Sequence, residues 1–384
     1  MDLHRLTPAQ LRARRTAKWT TYPDDVLPMW VAEMDFPVCR PVADALTRAI
    51  AAEGFGYPSH VAIGELAETL TEWQKARHNW EFAPGDVHVI GDVMHGVDLA
   101  IRHFSGPDDP VVIPTPVYMP FFDVVELTGR PQRRVPMAWD GARFTFDLAG
   151  IDAALAAGAR TVLISHPHNP LGRVFERSEL VGLARIVERH GARVVSDEIH
   201  APLSFDRPHL PYAASCPEAA RHTVTVVSSS KAWNTPGLRC AQVITSAPGD
   251  TERWARIPFW ETVGVSTLGI EAAIAAYAEG GKWLAEVTAT LVEHRDLVAQ
   301  TVADWPGVAT VANEGTYLQW LDFTALQLDR EPAVWLLDSA RVALNPGVPF
   351  GAAPHGFARL NFATTRPLLE EGLDRLGRAI REAR

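Results

Sequence analysis

Short apolar runs bounded by Gly, Pro and Ser alternate with helix-like stretches through the middle of the chain. VHVI (87–90), PVVIP (110–114), TVLIS (161–165), ARVVSDE (192–198), TVTVVSSS (223–230) and AQVITS (241–246) read as strands. A helix-like stretch containing VDLAIRHF follows the first of them. ERSELVGLARIVERHG (176–191) places Leu180, Leu183, Ala184 and Val187 at helical spacing. Apolar runs without polar alternation suit strands covered on both faces, so the pattern predicts a mostly parallel sheet between helices. From about Gly281 the pattern changes. WLAEVTATLVEHRDLVAQTVADW reads as one long helix. GVATV, TYLQWLDF and FARLNFAT read as strands around a helix PAVWLLDSARVA, and a last helix starts near Pro367. The expected organisation is α/β: an N-terminal segment (1–45), a large domain (46–281) and a smaller α+β domain (282–384).

Composition narrows the class. With 384 residues, 47% apolar and 21% charged, the chain is an ordinary globular one. A net charge of -10 argues against nucleic acid as a partner. The basic runs RARR (12–15) and RPQRR (130–134) are short and read as solvated helix or loop faces. Three cysteines, Cys39, Cys216 and Cys240, form no C-x-x-C pair, and no leader-like or membrane-length apolar run is visible. A cytoplasmic protein without a membrane partner is expected.

In parallel sheets ligands sit beyond the carboxyl ends of the strands. Asp197 and Lys231 fall at such ends, and Asn169 follows TVLIS in HPHNPLG. A lone lysine after a strand is ordinarily a solvated loop residue, and an Asp-Glu there is ordinarily a cap. Together they match what a pyridoxal 5′-phosphate (PLP) enzyme requires. Lys231 supplies the Schiff-base amine, and Asp197 the carboxylate that keeps the pyridine nitrogen protonated. Asn169 is placed to bond the phenolic oxygen, with His200 approaching that oxygen or the lysine. Ser228 and Ser230, alternating along one strand face, and Arg239 are candidates for the phosphate.

SHPHNPLGRV, SDEIH and SSSKAWNTPGLR, in this order, resemble the fold-type-I PLP enzymes of the class I/II aminotransferase superfamily. LPMWVAEMDFPV, GFGYP, PVYMPFF and RLNFATTR are similar to the MalY/PatB-type cystathionine and cysteine-S-conjugate β-lyases. The resemblance implies a seven-stranded, mostly parallel sheet sandwiched by helices, and a homodimer with the active site at the subunit interface. It implies Tyr118 stacked on the cofactor ring, and Asp92 and Val93 in the phosphate turn. Tyr57 would reach the neighbouring subunit's phosphate. Arg359 would bind the substrate carboxylate, with Ala32 beside the substrate. The implied reaction is α,β-elimination on cystathionine or another cysteine S-conjugate, giving a thiol, pyruvate and ammonia.

Three departures stand out. Arg239 is more typical of the aminotransferases, so amino-group transfer is the alternative, with other PLP chemistry on an S-conjugated amino acid also open. His166 replaces a usual Asn, which suggests a different, roomier substrate pocket. Asp92 sets a carboxylate beside an expected phosphate, so it should turn away or toward a basic substrate group. His166 and His168 lack a third ligand for a metal. No G-x-G-x-x-G follows a predicted strand, and no G-x-S-x-G is present. The motifs begin by residue 28, which leaves no room for a DNA-binding helix-turn-helix and disfavours a regulatory protein of that type.

Overall fold

The computed structural model describes residues 2–351 and 356–383. Its central sheet has seven strands: β1 (Val87–Ile90), β2 (Val111–Thr115), β3 (Gln132–Pro136), β4 (Thr161–Ser165), β5 (Arg193–Asp197), β6 (Thr223–Val227) and β7 (Ala241–Thr245). They lie in the order β1-β7-β6-β5-β4-β2-β3. Only β7 runs antiparallel to its neighbours. Every residue of β2, β4, β6 and β7 is buried, as expected for strands covered on both faces.

Alternation splits the strand residues between two cores. Leu163 and Val195 pack with Val97, Ile101 and Phe104 of helix α1 (Val93–Phe104). Val162, Ile164 and Val194 pack with Leu180, Leu183 and Val187 of helix α2 (Arg177–Arg189) on the opposite face. Each fully buried side chain of this kind contributes about 1.5–3 kcal/mol. Gly96 lets α1 sit close to the sheet, since a Cβ there would meet Ile90 Cδ1 at 2.6 Å and Val226 Cγ1 at 2.9 Å.

Two expectations differ from the fold. RPQRR is not a loop: Gln132–Pro136 is the edge strand β3, with Arg133 and Arg134 exposed and Val135 buried. Its polar side faces solvent, so the strand carries no continuous apolar run. TVTVVSSS ends as a strand at Val227. Ser228 Oγ donates to the Cys240 carbonyl at 2.7 Å and accepts from Ser230 N–H at 3.1 Å, which replaces the ladder with a turn. Ser228 and Ser230 therefore do not alternate along a strand face.

A second, antiparallel sheet holds β8 (Ala309–Thr310), β9 (Leu318–Asp322), β10 (Asn345–Pro346) and β11 (Phe357–Asn361), in the order β8-β9-β11-β10. Helices α3 (Gly281–Ala303) and α4 (Arg366–Glu382) accompany it. Leu369, Leu373, Leu376 and Ile380 give α4 a buried stripe. The predicted helix PAVWLLDSARVA stops at Ser339. Arg341 then adopts φ 54°, and Val342–Ala343 pairs in parallel with Leu27–Pro28.

That pairing begins a strap. Met29 N–H donates to the Ala343 carbonyl, and Asn361 N–H to the Met29 carbonyl, both at 2.9 Å. Asn361 Nδ2 donates to the carbonyls of Val31 (2.6 Å) and Glu33 (2.7 Å). Asn234 bonds both backbone groups of Met34 at 2.8 Å. Residues 29–34 are thus fixed over the end of the large sheet. Among the described residues no helix is long and apolar enough to cross a membrane.

Candidate active site

The register brings the carboxyl ends of the central strands level. Ser165 of β4 lies opposite Asp197 of β5, which lies opposite Val226 of β6. A cavity of about 520 Å³ opens just beyond these ends. Asp92, Val93, Tyr118, Asn169, Asp197, His200, Ser228, Ser230, Lys231, Arg239, Arg359 and Ala32 all line it. Of the residues expected to hold cofactor or substrate, Tyr57 lies elsewhere, 101% exposed on the surface.

Lys231 is held by the strap. Its Nζ donates to the Ala32 carbonyl at 2.8 Å, and Tyr317 Oη donates to the same oxygen at 3.0 Å. Burial, reinforced by the nearby Arg359 cation, lowers the amine to a pKa of about 8. A useful neutral fraction therefore exists near physiological pH. Burial raises Asp197 to about 7, with the adjacent Glu198 pushing the same way and Lys231 opposing. Its Oδ1 accepts from Ile199 N–H at 3.1 Å. A cation bound at this carboxylate would pull the value back down.

Arg359 sits on β11 and is 2% exposed. Its Nη1 donates to Asn169 Oδ1 at 2.9 Å and its Nη2 to the Trp30 carbonyl at 3.1 Å. Asn345, directly across the ladder, accepts from Nη2 at 3.0 Å in the amide orientation that satisfies both groups. Phe350 lies 4.9 Å beneath the guanidinium carbon. No carboxylate among the described residues lies within ion-pair distance of it, and its Nε has no partner. Burial lowers its pKa to about 10, so it remains a cation. A buried cation without a counter-charge is costly unless a ligand supplies the anion.

The phosphate turn resolves differently from expectation. Asp92 caps α1: its Oδ1 accepts from His95 N–H at 2.9 Å. Its Oδ2 meets Arg239 Nη2 at 2.6 Å. Asp92 thus turns to a cation of its own chain, not to a substrate group, and part of the Arg239 guanidinium is already engaged. The first-turn amides at Val93 and Met94 lie at the N-terminus of a twelve-residue helix, where an anion is favoured. Gly91 permits this turn, because a Cβ there would meet Gly264 O at 2.9 Å.

His200 is buried, with Nδ1 unpartnered, and burial beside Lys231 and Arg359 holds it neutral with a pKa of about 3. His166 does not line the cavity. Its Nε2 meets the Leu210 carbonyl at 3.0 Å and its ring packs on His209 and Phe175. It therefore gives no room for a bulkier substrate, contrary to the sequence expectation. Sequence reasoning missed Trp30 and Asn345 on the substrate side and Met119 and Pro120 on the wall. Asn345 had a signal only through pairing with β11, which a two-residue strand does not reveal.

The residues fit PLP. One cavity holds an amine, a carboxylate, a helix N-terminus with serine hydroxyls, and an unpartnered imidazole nitrogen. Lys231 would carry the aldehyde, Asp197 the pyridine nitrogen, Tyr118 the ring, and the Ser228–Ser230 turn with Val93 the phosphate.

The sheet and its end-on cavity define a fold-type-I α/β enzyme. The chain belongs to the aminotransferase class I and II family, whose model matches residues 24–376. It is 40% identical to a cystathionine beta-lyase of Corynebacterium glutamicum over 96% of this chain and 97% of that protein. It is 31% identical to the cystathionine beta-lyase PatB of Bacillus subtilis, over 93% of each. The structure of cystalysin from Treponema denticola, which contains pyridoxal 5′-phosphate, superposes with a TM-score of 0.92. Identity there is 27%, over 100% of both chains.

Proposed function

We propose that this chain is a PLP-dependent carbon–sulfur β-lyase acting on cystathionine or another cysteine S-conjugate. The observation that carries the reading is the pairing of Arg359, a buried cation lacking an anion, with Lys231, a buried amine poised near neutrality, in one cavity.

When bound, PLP supplies an electron sink for charge developing at the substrate Cα. Arg359 binds the α-carboxylate and so fixes the direction of the Cα–H bond. Lys231 Nζ takes the α-proton. Asp197 holds a proton on the pyridine nitrogen, which keeps the ring electron-poor. Asn169, already tied to Arg359, couples the carboxylate grip to the ring's oxygen side. As the Cα–Cβ double bond forms, the Cβ–S bond breaks and sulfur leaves as thiolate. The released three-carbon enamine takes up one water and ends as pyruvate and ammonia. Amino-group transfer would use the same proton abstraction. The lyase names of both relatives support elimination.

We propose a homodimer in which Tyr57 of one copy lies beside the active site of the other. Phe55, Val61, Phe259 and Trp260 are also exposed apolar side chains of the kind a second copy would cover. Tyr57, exposed beside Phe55, would then reach the neighbour's phosphate.

The test incubates the PLP-loaded protein with cystathionine and no keto acid. Thiol product and pyruvate accumulating in step over many turnovers are expected. A single turnover that resumes only when a keto acid is added would overturn elimination.

A further inference from the structure

The amino ends of the parallel strands, opposite the active site, frame a second cavity of about 490 Å³. Its lining is cationic although the chain carries a net charge of -10. Four arginines reach it from four separate parts of the sequence. Arg160 precedes β4, Arg193 opens β5, Arg221 precedes β6, and Arg253 lies in the short helix Asp250–Trp254. The lining carboxylates are Asp109 and Glu188.

The charges are only partly matched. Glu188 is committed to Arg221 at 2.9 Å and to His222 Nδ1 at 3.2 Å. Asp109 accepts from Gly106 N–H at 2.7 Å and, among the described residues, pairs with no arginine. Arg193 is paired with Asp250, yet its Nε is buried without a partner. Arg160 donates from Nη1 to the carbonyls of Ala159 (2.9 Å) and Leu155 (3.3 Å), and neither it nor Arg253 is within ion-pair distance of a carboxylate among the described residues. Arg193 and Arg253 share the Phe104 ring, their guanidinium carbons 5.1 Å and 5.2 Å from its centroid. Two like charges, of which only Arg193 has a carboxylate partner, are thus held at one ring in a cavity that Arg160 also lines, an arrangement that a bound anion would relieve.

We propose that this cavity binds a small molecule carrying a di- or triphosphate, held by Arg160, Arg193 and Arg253. Guanidinium forks match phosphate oxygens bidentately, and a polyphosphate can engage several at once. The volume falls in the usual range of ligand pockets, roughly 300–1,000 Å³, and exceeds what a single phosphate fills. The site is separate from the catalytic cavity, with which it shares no lining residue. The two are joined by β5, which runs from Arg193 to Asp197.

The test is calorimetric titration of the PLP-loaded protein at about 0.15 M salt, so that the cofactor occupies its own phosphate turn. Inorganic pyrophosphate is expected to bind saturably at one site per chain and more tightly than orthophosphate or citrate. The variant R160A/R253A should weaken pyrophosphate by about tenfold or more per arginine removed. R133A, on the exposed edge strand, should leave it unchanged. Thermal unfolding of each variant separates loss of binding from loss of fold. ATP competing for the same site would assign the polyphosphate to a nucleotide. ATP failing to compete while pyrophosphate binds would assign it to a smaller carrier. No saturable pyrophosphate binding, equal binding of citrate or orthophosphate, or binding unaffected in folded R160A/R253A would overturn the proposal.

Discussion

Two buried cationic sites lie along the same N-terminal strap and are neutralised in opposite ways. Lys18 is 1% exposed, and its Nζ meets Asp35 Oδ2, itself 2% exposed, at 2.7 Å. Trp19 Nε1 donates to the other oxygen at 2.7 Å, and the Glu33 carbonyl accepts from Lys18 at 3.1 Å. Every charge there has its partner, as a structural pair requires. A few residues along, the strap instead hydrogen-bonds Lys231 and Arg359 through backbone carbonyls, with no carboxylate in direct contact among the described residues. Carbonyl dipoles orient these cations but do not neutralise them. The first site closes the fold, and the second keeps cations that the proposed substrate carboxylate would offset.

The comparison is broken most severely at the lysine. K231A should lower lyase turnover by a factor of at least about 10²–10⁴, the usual cost of removing a positioned acid/base group. The circular dichroism spectrum should be that of the wild type. Near-normal pyruvate production by K231A would end the assignment. The matching structural variant is K18M, which strands Asp35 in the interior. Breaking a buried pair costs about 3–5 kcal/mol. K18M should therefore lower the urea midpoint strongly, and K18M/D35L should recover much of the loss. If K18M were as stable as wild type, the contrast between the two sites would fail.

R359M tests the functional cation against the structural one. It should lower kcat/KM by about 10²–10³, mostly through KM, because a carboxylate loses its charged partner. Its melting temperature, unlike that of K18M, should hold or rise, since it removes an uncompensated buried charge. A marked loss of stability would show that Arg359 serves the fold instead.

The pH dependence of the cofactor-free protein sharpens the same point. Lys231 has a folded pKa of about 8, below its unfolded value near 10.5. Below pH 8 it is protonated in both states, and burying the charge costs stability in full. Between about 8 and 10.5 the unfolded chain binds more protons, so stability rises with pH. The whole shift amounts to about 3 kcal/mol. Urea unfolding of the cofactor-free protein and of K231M should therefore converge as pH moves from 7.5 to 10. A gap that stays constant would refute the buried-cation account.

Much of this contrast was legible in the sequence, and the parts that were not share a cause. Lys231, Asp197 and Asn169 follow strongly apolar strands, so the sheet predicts their meeting. The resemblance to known lyases added Arg359, which periodicity would assign to an ordinary strand. Edge strand β3 was missed because one of its sides is wet and charged. The sequence points His166 toward the substrate only because it stands where the resembling family usually has Asn. The backbone instead sends its ring into a pocket with Phe175, His209 and the Leu210 carbonyl, the last two more than forty positions downstream. The sequence showed an acid at Asp92 and a base at Arg239 but not that they would meet. That contact joins a helix cap to a left-handed residue, Arg239 at φ 51°, and neither local pattern predicts it.

The Asp92–Arg239 pair also carries the smallest expected effect. The Arg239 side chain is 62% exposed, so solvent screens the pair, and such pairs contribute about 0–1 kcal/mol. If Arg239 mainly restrains the Asp92 carboxylate at the helix N-terminus, R239Q should weaken PLP binding by about two- to fivefold. D92N/R239Q should then restore it, because the freed acid is what repels the phosphate. A direct phosphate clamp behaves otherwise. Its loss in R239Q would be larger, about tenfold or more, and neutralising Asp92 would not rescue it. Equilibrium titration of the cofactor-free proteins with PLP distinguishes the two roles, because rescue by D92N occurs only when the arginine acts through the carboxylate.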